Sequence, residues 1–211
     1  MSLPPATPAL VFYTQTIDGR PFVNCLPYSI CPVLRWAGYN VPDNYGMTLR
    51  KASGVAVQDG LGTSYANMQD AFDKILPRAP VVFGKVTEDE LFNDLPKVGR
   101  RNTYKDVYSV ICQMENLPRH LRRHVGLTWR GLHAIAVAGQ RICNGEDGMV
   151  GNYDHTAHRN KREVYWMDPM GRTSRGYDGE WALTSDVFPA TRHDADGFIK
   201  CIHATKKSAV A

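Results

Sequence analysis

Apolar residues recur at helical spacing at Leu26, Ile30, Val33 and Leu34, which predicts a helix over residues 26–36 that ends at Gly38. A second helix is expected over 65–76, with Ser64 as its cap and Pro77 just past its end. A third fits 88–95, where Thr87 and Glu90 have the spacing of a capping box. Ahead of these, residues 9–16 read as a strand, followed by an Asp18-Gly19 turn signal. The pattern then changes to strand-like runs at 107–114, 132–138, 163–167 and 198–203. Helices followed by strands argue for an α+β domain, with N-terminal helices packed on a C-terminal antiparallel sheet. The connection over 139–162 is rich in Gly, Asn, Asp and His, and a link of that length is usually functional or mobile. Residues 1–8, with three prolines, read as a flexible arm, 9–205 as one domain and 206–211 as a basic tail.

Composition narrows this reading without redirecting it. A chain of 211 residues with 43% hydrophobic content can bury a core without disulfides or structural metal. Net charge is +4 and the isoelectric point is near 8.8, too mild to argue for nucleic acid alone. Basic side chains cluster at Arg119, His120, Arg122, Arg123 and His124 and again over 159–162, and solvated faces explain both. The five cysteines, at 25, 31, 112, 143 and 201, fit neither a disulfide framework nor a Cys-x-x-Cys zinc pattern. No run approaches the ~20 apolar residues of a spanning helix, so no membrane insertion is expected. The first residues lack the charged start and apolar core of a signal peptide, so synthesis in the cytoplasm is expected.

Three positions carry candidate chemistry. Cys25 stands where the chain enters the first predicted helix, and unpaired N–H groups there favour a thiolate. His133 opens a strand, and Asp168 closes the next one. If those two strands pair antiparallel, the start of one lies beside the end of the other. Each feature alone has an ordinary explanation: a small core cysteine, a half-buried histidine, an Asp-Pro turn. Together they supply a nucleophile, a base and a group that orients the base.

These residues also resemble a known family. Asn24-Cys25-Leu26-Pro27, followed by Val33-Leu34-Arg35-Trp36-Ala37-Gly38, is similar to the Asp-Cys-Gly-Pro helix of the bacteriocin-leader-processing (double-glycine) peptidases. The Gly-Leu-His-Ala-Ile-Ala-Val-Ala-Gly and Tyr-Trp-Met-Asp-Pro-Met-Gly segments resemble that family's histidine and aspartate motifs, in the same order. The resemblance implies a papain-like fold and a cysteine endopeptidase that needs no cofactor or metal. It implies Cys25, His133 and Asp168 as catalytic residues and a peptide as substrate. Soluble relatives include phage-type and bacterial cell-wall endopeptidases, which implies peptidoglycan, a virion or cell-wall location, and phage tail proteins as partners.

The chain departs from the family pattern in two places. Leu26 stands where a glycine usually follows the nucleophile, and the glutamine expected as oxyanion donor has its nearest candidate in Gln15, ten residues upstream. Pro32 should kink the first helix or mark its true start, and in the second case Cys31 becomes the alternative nucleophile. Other classes fit parts of the sequence. A catalytically inactive module of a phage tail would keep the fold without turnover. A metal site could draw on Cys112, His120, His124, His155 and His158, although the surrounding arginines favour a cationic face. Nucleic-acid binding is disfavoured because aromatic residues do not interleave with the basic cluster.

Overall fold

The computed structural model describes residues 3–4, 6, 10–15, 24–55, 62–77, 79, 81–94, 107–113, 132–146, 148–150, 153–169, 179–187 and 197–204. The basic cluster at 119–124, the 18–19 turn, Trp129 and the 206–211 tail lie outside those residues. Helices α1 (Cys25–Trp36), α2 (Tyr45–Ala52) and α3 (Tyr65–Ile75) come first. They are followed by strand β1 (Val81–Val86), helix α4 (Glu88–Asp94) and strands β2 (Tyr108–Gln113) and β3 (Leu132–Ile142). A short hairpin, β4 (Met149–Val150) and β5 (Tyr153–Asp154), precedes β6 (Arg162–Met167), β7 (Glu180–Leu183), helix α5 (Thr184–Val187) and β8 (Ile199–Ala204).

Six strands form one antiparallel sheet in the order β1-β8-β2-β3-β6-β7. Ala134, Ala136 and Ala138 alternate along β3, and their small side chains let α1 approach one face closely. That face is covered by an apolar layer that includes Tyr28, Ile30, Val33, Leu34, Leu49 and Phe72. Ile135 and Val137 point the other way, into a core closed by Leu91 of α4 and Val187 of α5. Covering both faces explains why residues 134–138 are an unbroken apolar run rather than an alternating one. The protein is therefore an α+β structure with its N-terminal helices packed on an antiparallel sheet.

Local chemistry accounts for several element ends. The Ser64 hydroxyl accepts from the Asn67 N–H at 3.1 Å. Thr87 and Glu90 form a reciprocal capping box, with Thr87 N donating to Glu90 Oε2 at 2.8 Å and Glu90 N to Thr87 Oγ1 at 3.2 Å. Those hydrogen bonds hold the exposed Glu90 carboxyl below its ordinary pKa. Helix α1 runs unbroken through Pro32, which is buried against the sheet, so the helix neither restarts nor ends there. In α2, Gly46 touches the ring of the fully buried Tyr28, and a Cβ there would overlap the ring. Gly46→Ala is expected to destabilise the fold by about 1–3 kcal/mol, the usual cost of overpacking, read as a shift in the denaturant midpoint with an unchanged slope.

Three expectations need correction. Residues 10–14 form no strand, and Gln15 lies in a single 3-10 turn. Their polar groups are taken up elsewhere: Thr14 Oγ1 and Gln15 N both donate to Pro169 O, at 3.2 and 2.8 Å. The supposed loop over 139–162 is largely ordered, because β3 continues to Ile142 and a hairpin follows. The first half of the chain also supplies a strand, β1, which pairs with β8 from the far end. Within the 1–8 segment, Ala6 N donates to Gly38 O and Pro4 O accepts from Asn40 N, so those two residues are tied to the domain.

Candidate active site

Cys25 is the first residue of α1 and is partly exposed. His133 is the second residue of β3, and Asp168 follows the last residue of β6. Because β3 and β6 pair antiparallel, with Ala136 opposite Met167, the start of one strand meets the end of the other. The His133 ring, 2% exposed, bonds through Nε2 to Asp168 Oδ1 at 2.7 Å. The Cys25 thiol is hydrogen-bonded to His133 and makes further backbone hydrogen bonds with Ala134 and Leu26. The structure thus brings Cys25, His133 and Asp168 into one hydrogen-bonded chain.

Electrostatics in this chain favour charge separation. Burial opposes ionisation of Cys25, yet the hydrogen bond and positive charge of His133, with the backbone bonds at Ala134 and Leu26, together bring the thiol below its ordinary value. Burial likewise disfavours a charged His133, but Asp168 and Cys25 together push its pKa up to about 10. Both shifts run toward a thiolate beside an imidazolium.

Gln15 reaches the same place from upstream. Its side chain is fully buried, and Oε1 accepts the Asn24 N–H at 3.1 Å, one residue before the sulfur. Its Nε2 has no hydrogen-bond partner among the described residues, leaving buried donors unused. The ten-residue separation from Cys25 is closed in space by that bond. Asn24 is held in turn by Arg50, which is fully buried and donates through Nη1 to Asn24 Oδ1 at 3.0 Å. Sequence reading missed Arg50 because a basic residue on a short helix usually marks a solvated face. Leu26, which departs from the usual glycine, turns its side chain into the core beside α2.

Cys31 does not share this setting. It lies in the interior of α1, fully buried, with Sγ donating to Pro27 O at 3.4 Å. Because the helix does not restart at Pro32, the geometric reason for treating Cys31 as the nucleophile disappears. Of the suggested metal ligands, His120 and His124 lie outside the described residues, while His155 belongs to a different cluster.

That cluster is a second set of the same residue types, Cys143, His155 and Glu163. A Cys–His–carboxylate arrangement is the kind that cysteine hydrolases use, and the described residues contain two of them. They differ in wiring. At Cys25 the carboxylate takes Nε2 of the histidine, which leaves the rest of the ring to the sulfur. At Cys143 both partners address Nδ1, with Sγ 4.0 Å and Glu163 Oε1 2.8 Å away. Cys143 is also buried, and burial together with the Glu163 charge holds its thiol above the ordinary value. An activated, accessible thiolate therefore belongs to the first set rather than the second. Among the described residues no helix is long and apolar enough to cross a membrane. The chain matches no protein-family model and no curated protein.

Proposed function

We propose that this protein is a cysteine endopeptidase of papain-like type. The observation that carries the reading is the Cys25–His133–Asp168 chain, with a lowered thiol and a raised imidazole. The Cys25 thiolate attacks a peptide carbonyl, and the electron pair moves onto the carbonyl oxygen. The Cys25 N–H and the unused Gln15 Nε2 donate to that oxyanion, and one such donor supplies about 2.7–4 kcal/mol of barrier. His133 gives its proton to the leaving amine, while Asp168 fixes the ring. Water, activated by the now neutral His133, then releases the acyl group and regenerates the thiolate.

The substrate in this reading is the peptide stem or cross-bridge of bacterial peptidoglycan. Its support is the motif resemblance to cell-wall endopeptidases, together with a net charge of +4 that suits an anionic wall. A phage-derived protein carried by a virion tail fits the same reading. The test is incubation with purified peptidoglycan, with mass spectrometry of the released fragments. New amino termini at one bond type, lost in Cys25→Ala, are the expected result. Intact sacculi alongside cleavage of unrelated peptides would replace the substrate and keep the chemistry. No cleavage of either, by a chain found stably bound to tail proteins, would favour an inactive structural module.

A further inference from the structure

The second cysteine–histidine–carboxylate cluster is built to converge on one point. Cys143 follows the end of β3, Glu163 is the second residue of β6, and His155 follows β5. The backbone fixes all three: Cys143 N donates to Lys161 O at 2.9 Å, Asn160 N to Cys143 O at 2.8 Å and His155 N to Gly148 O at 3.0 Å, while Glu163 is paired in β6 opposite Arg141 and Leu183. Asn160, Gly145 and Gly148 take positive φ angles of 67°, 79° and 59°, giving the tight turns that fold this segment back on itself. The thiol, imidazole and carboxylate ligand atoms all lie within 4.8 Å of one another, and all three residues are buried. Glu163 Oε2 is held separately by Arg141 Nε at 2.7 Å, and Arg141 stacks 4.3 Å over Trp181. The inner oxygen, Oε1, is left facing His155 and the sulfur.

A nucleophile needs a ring nitrogen to itself, whereas a cation is served by several donors aimed at one spot. From the geometry we infer that Cys143, His155 and Glu163 are three ligands of a structural zinc site that pins the 143–163 excursion to the sheet. Zinc takes sulfur at about 2.3 Å and nitrogen or carboxylate oxygen at roughly 2.0–2.2 Å, which places tetrahedral donors ~3.3–3.6 Å apart. The 4.0 Å and 2.8 Å separations at Nδ1 bracket that spacing, so small side-chain rotations would satisfy it. The donor set is too soft for calcium or magnesium. One thiolate and one carboxylate neutralise the ion, and Arg141 holds the outer oxygen. The thiol proton, and any proton on Nδ1, leave to solvent as the metal binds.

The experiment uses the full chain carrying Cys25→Ala, so that the partly exposed thiol cannot compete. Zinc is added, excess is removed, and bound metal is counted by elemental analysis. One equivalent is expected, with a higher melting temperature, and X-ray absorption should show one sulfur at about 2.3 Å among lighter donors. Cobalt in place of zinc should give a thiolate charge-transfer band that disappears in Cys143→Ser. If that variant fails to fold, the absorption spectra of the Cys25→Ala chain decide alone. A coordination shell of nitrogen and oxygen only, or no metal retained by the folded chain, would overturn the assignment. Zinc retained by the parent chain but not by the Cys25→Ala chain would overturn it as well.

Discussion

Alkylation of Cys25 by iodoacetamide near about pH 6 is expected to slow at least about tenfold in His133→Ala, because each pKa unit is a factor of ten in thiolate. His133 is the largest influence that lowers the Cys25 pKa, with the backbone bonds at Ala134 and Leu26 adding to it, and burial works the other way. Without the imidazole, burial raises the thiol and the thiolate fraction at mildly acidic pH collapses. The sign follows from both partners. His133, raised to about 10, keeps its proton throughout the neutral range and loses it only as pH climbs through that value. Cys25, lowered, holds its thiolate down to its own pKa and takes up a proton below it. The two titrate as a coupled pair, so the measured limbs belong to the pair. Rates mapped by peptide mass spectrometry across pH check this. Equal rates with and without His133 would remove the thiolate–imidazolium pair, and with it the peptidase reading.

Loss of the Gln15 side chain should act on turnover and leave the thiolate alone. Gln15→Ala is expected to lower kcat on the cleaved peptide by about 10²–10³, with little change in KM, because the oxyanion forms only on the way to the transition state. Gln15→Glu is the sharper variant. It keeps an acceptor for the Asn24 N–H, which bonds Oε1 at 3.1 Å, and replaces the Nε2 donor with a group that repels an oxyanion. Iodoacetamide passes through no oxyanion, so its rate at Cys25 should stay near the parent value in both variants. Normal turnover in Gln15→Glu would assign the buried amide to holding the helix start alone.

Much of this site was legible because strand ends and helix starts leave local signatures. His133 before an apolar run and Asp168 before Pro169 needed only antiparallel pairing to meet, and β3 and β6 pair that way. The Thr87–Glu90 box and the Ser64 cap were visible for the same reason, since capping depends on residues three apart. What escaped depends on distant partners. Strand β1 has a glycine at its centre and is a strand because β8 lies beside it. Helix α2 carries Gly46 and Arg50 inward, against the usual polarity, because Tyr28 needs room and Asn24 needs a donor. Residues 139–162 looked like a loop because buried members such as Gln140 and His155 are polar, and His155 buries only as a match for Glu163 of β6.

The sheet order has a consequence for how the protein is made. Strand β8 lies between β1 and β2, and its Ile202 belongs to the same apolar layer as α1. Residues 199–204 are synthesised well after α1 and β1, yet among the described residues they supply the only strand beside β1, and α1 needs their surface to settle on. A growing chain on the ribosome therefore exposes the thiol-bearing helix long before its platform exists, and such late, long-range pairing makes folding slow. Under the proposed function, the thiol on α1 gains its full support only once β8 has been made, so a cell making this protein carries inert nascent chains until that strand emerges.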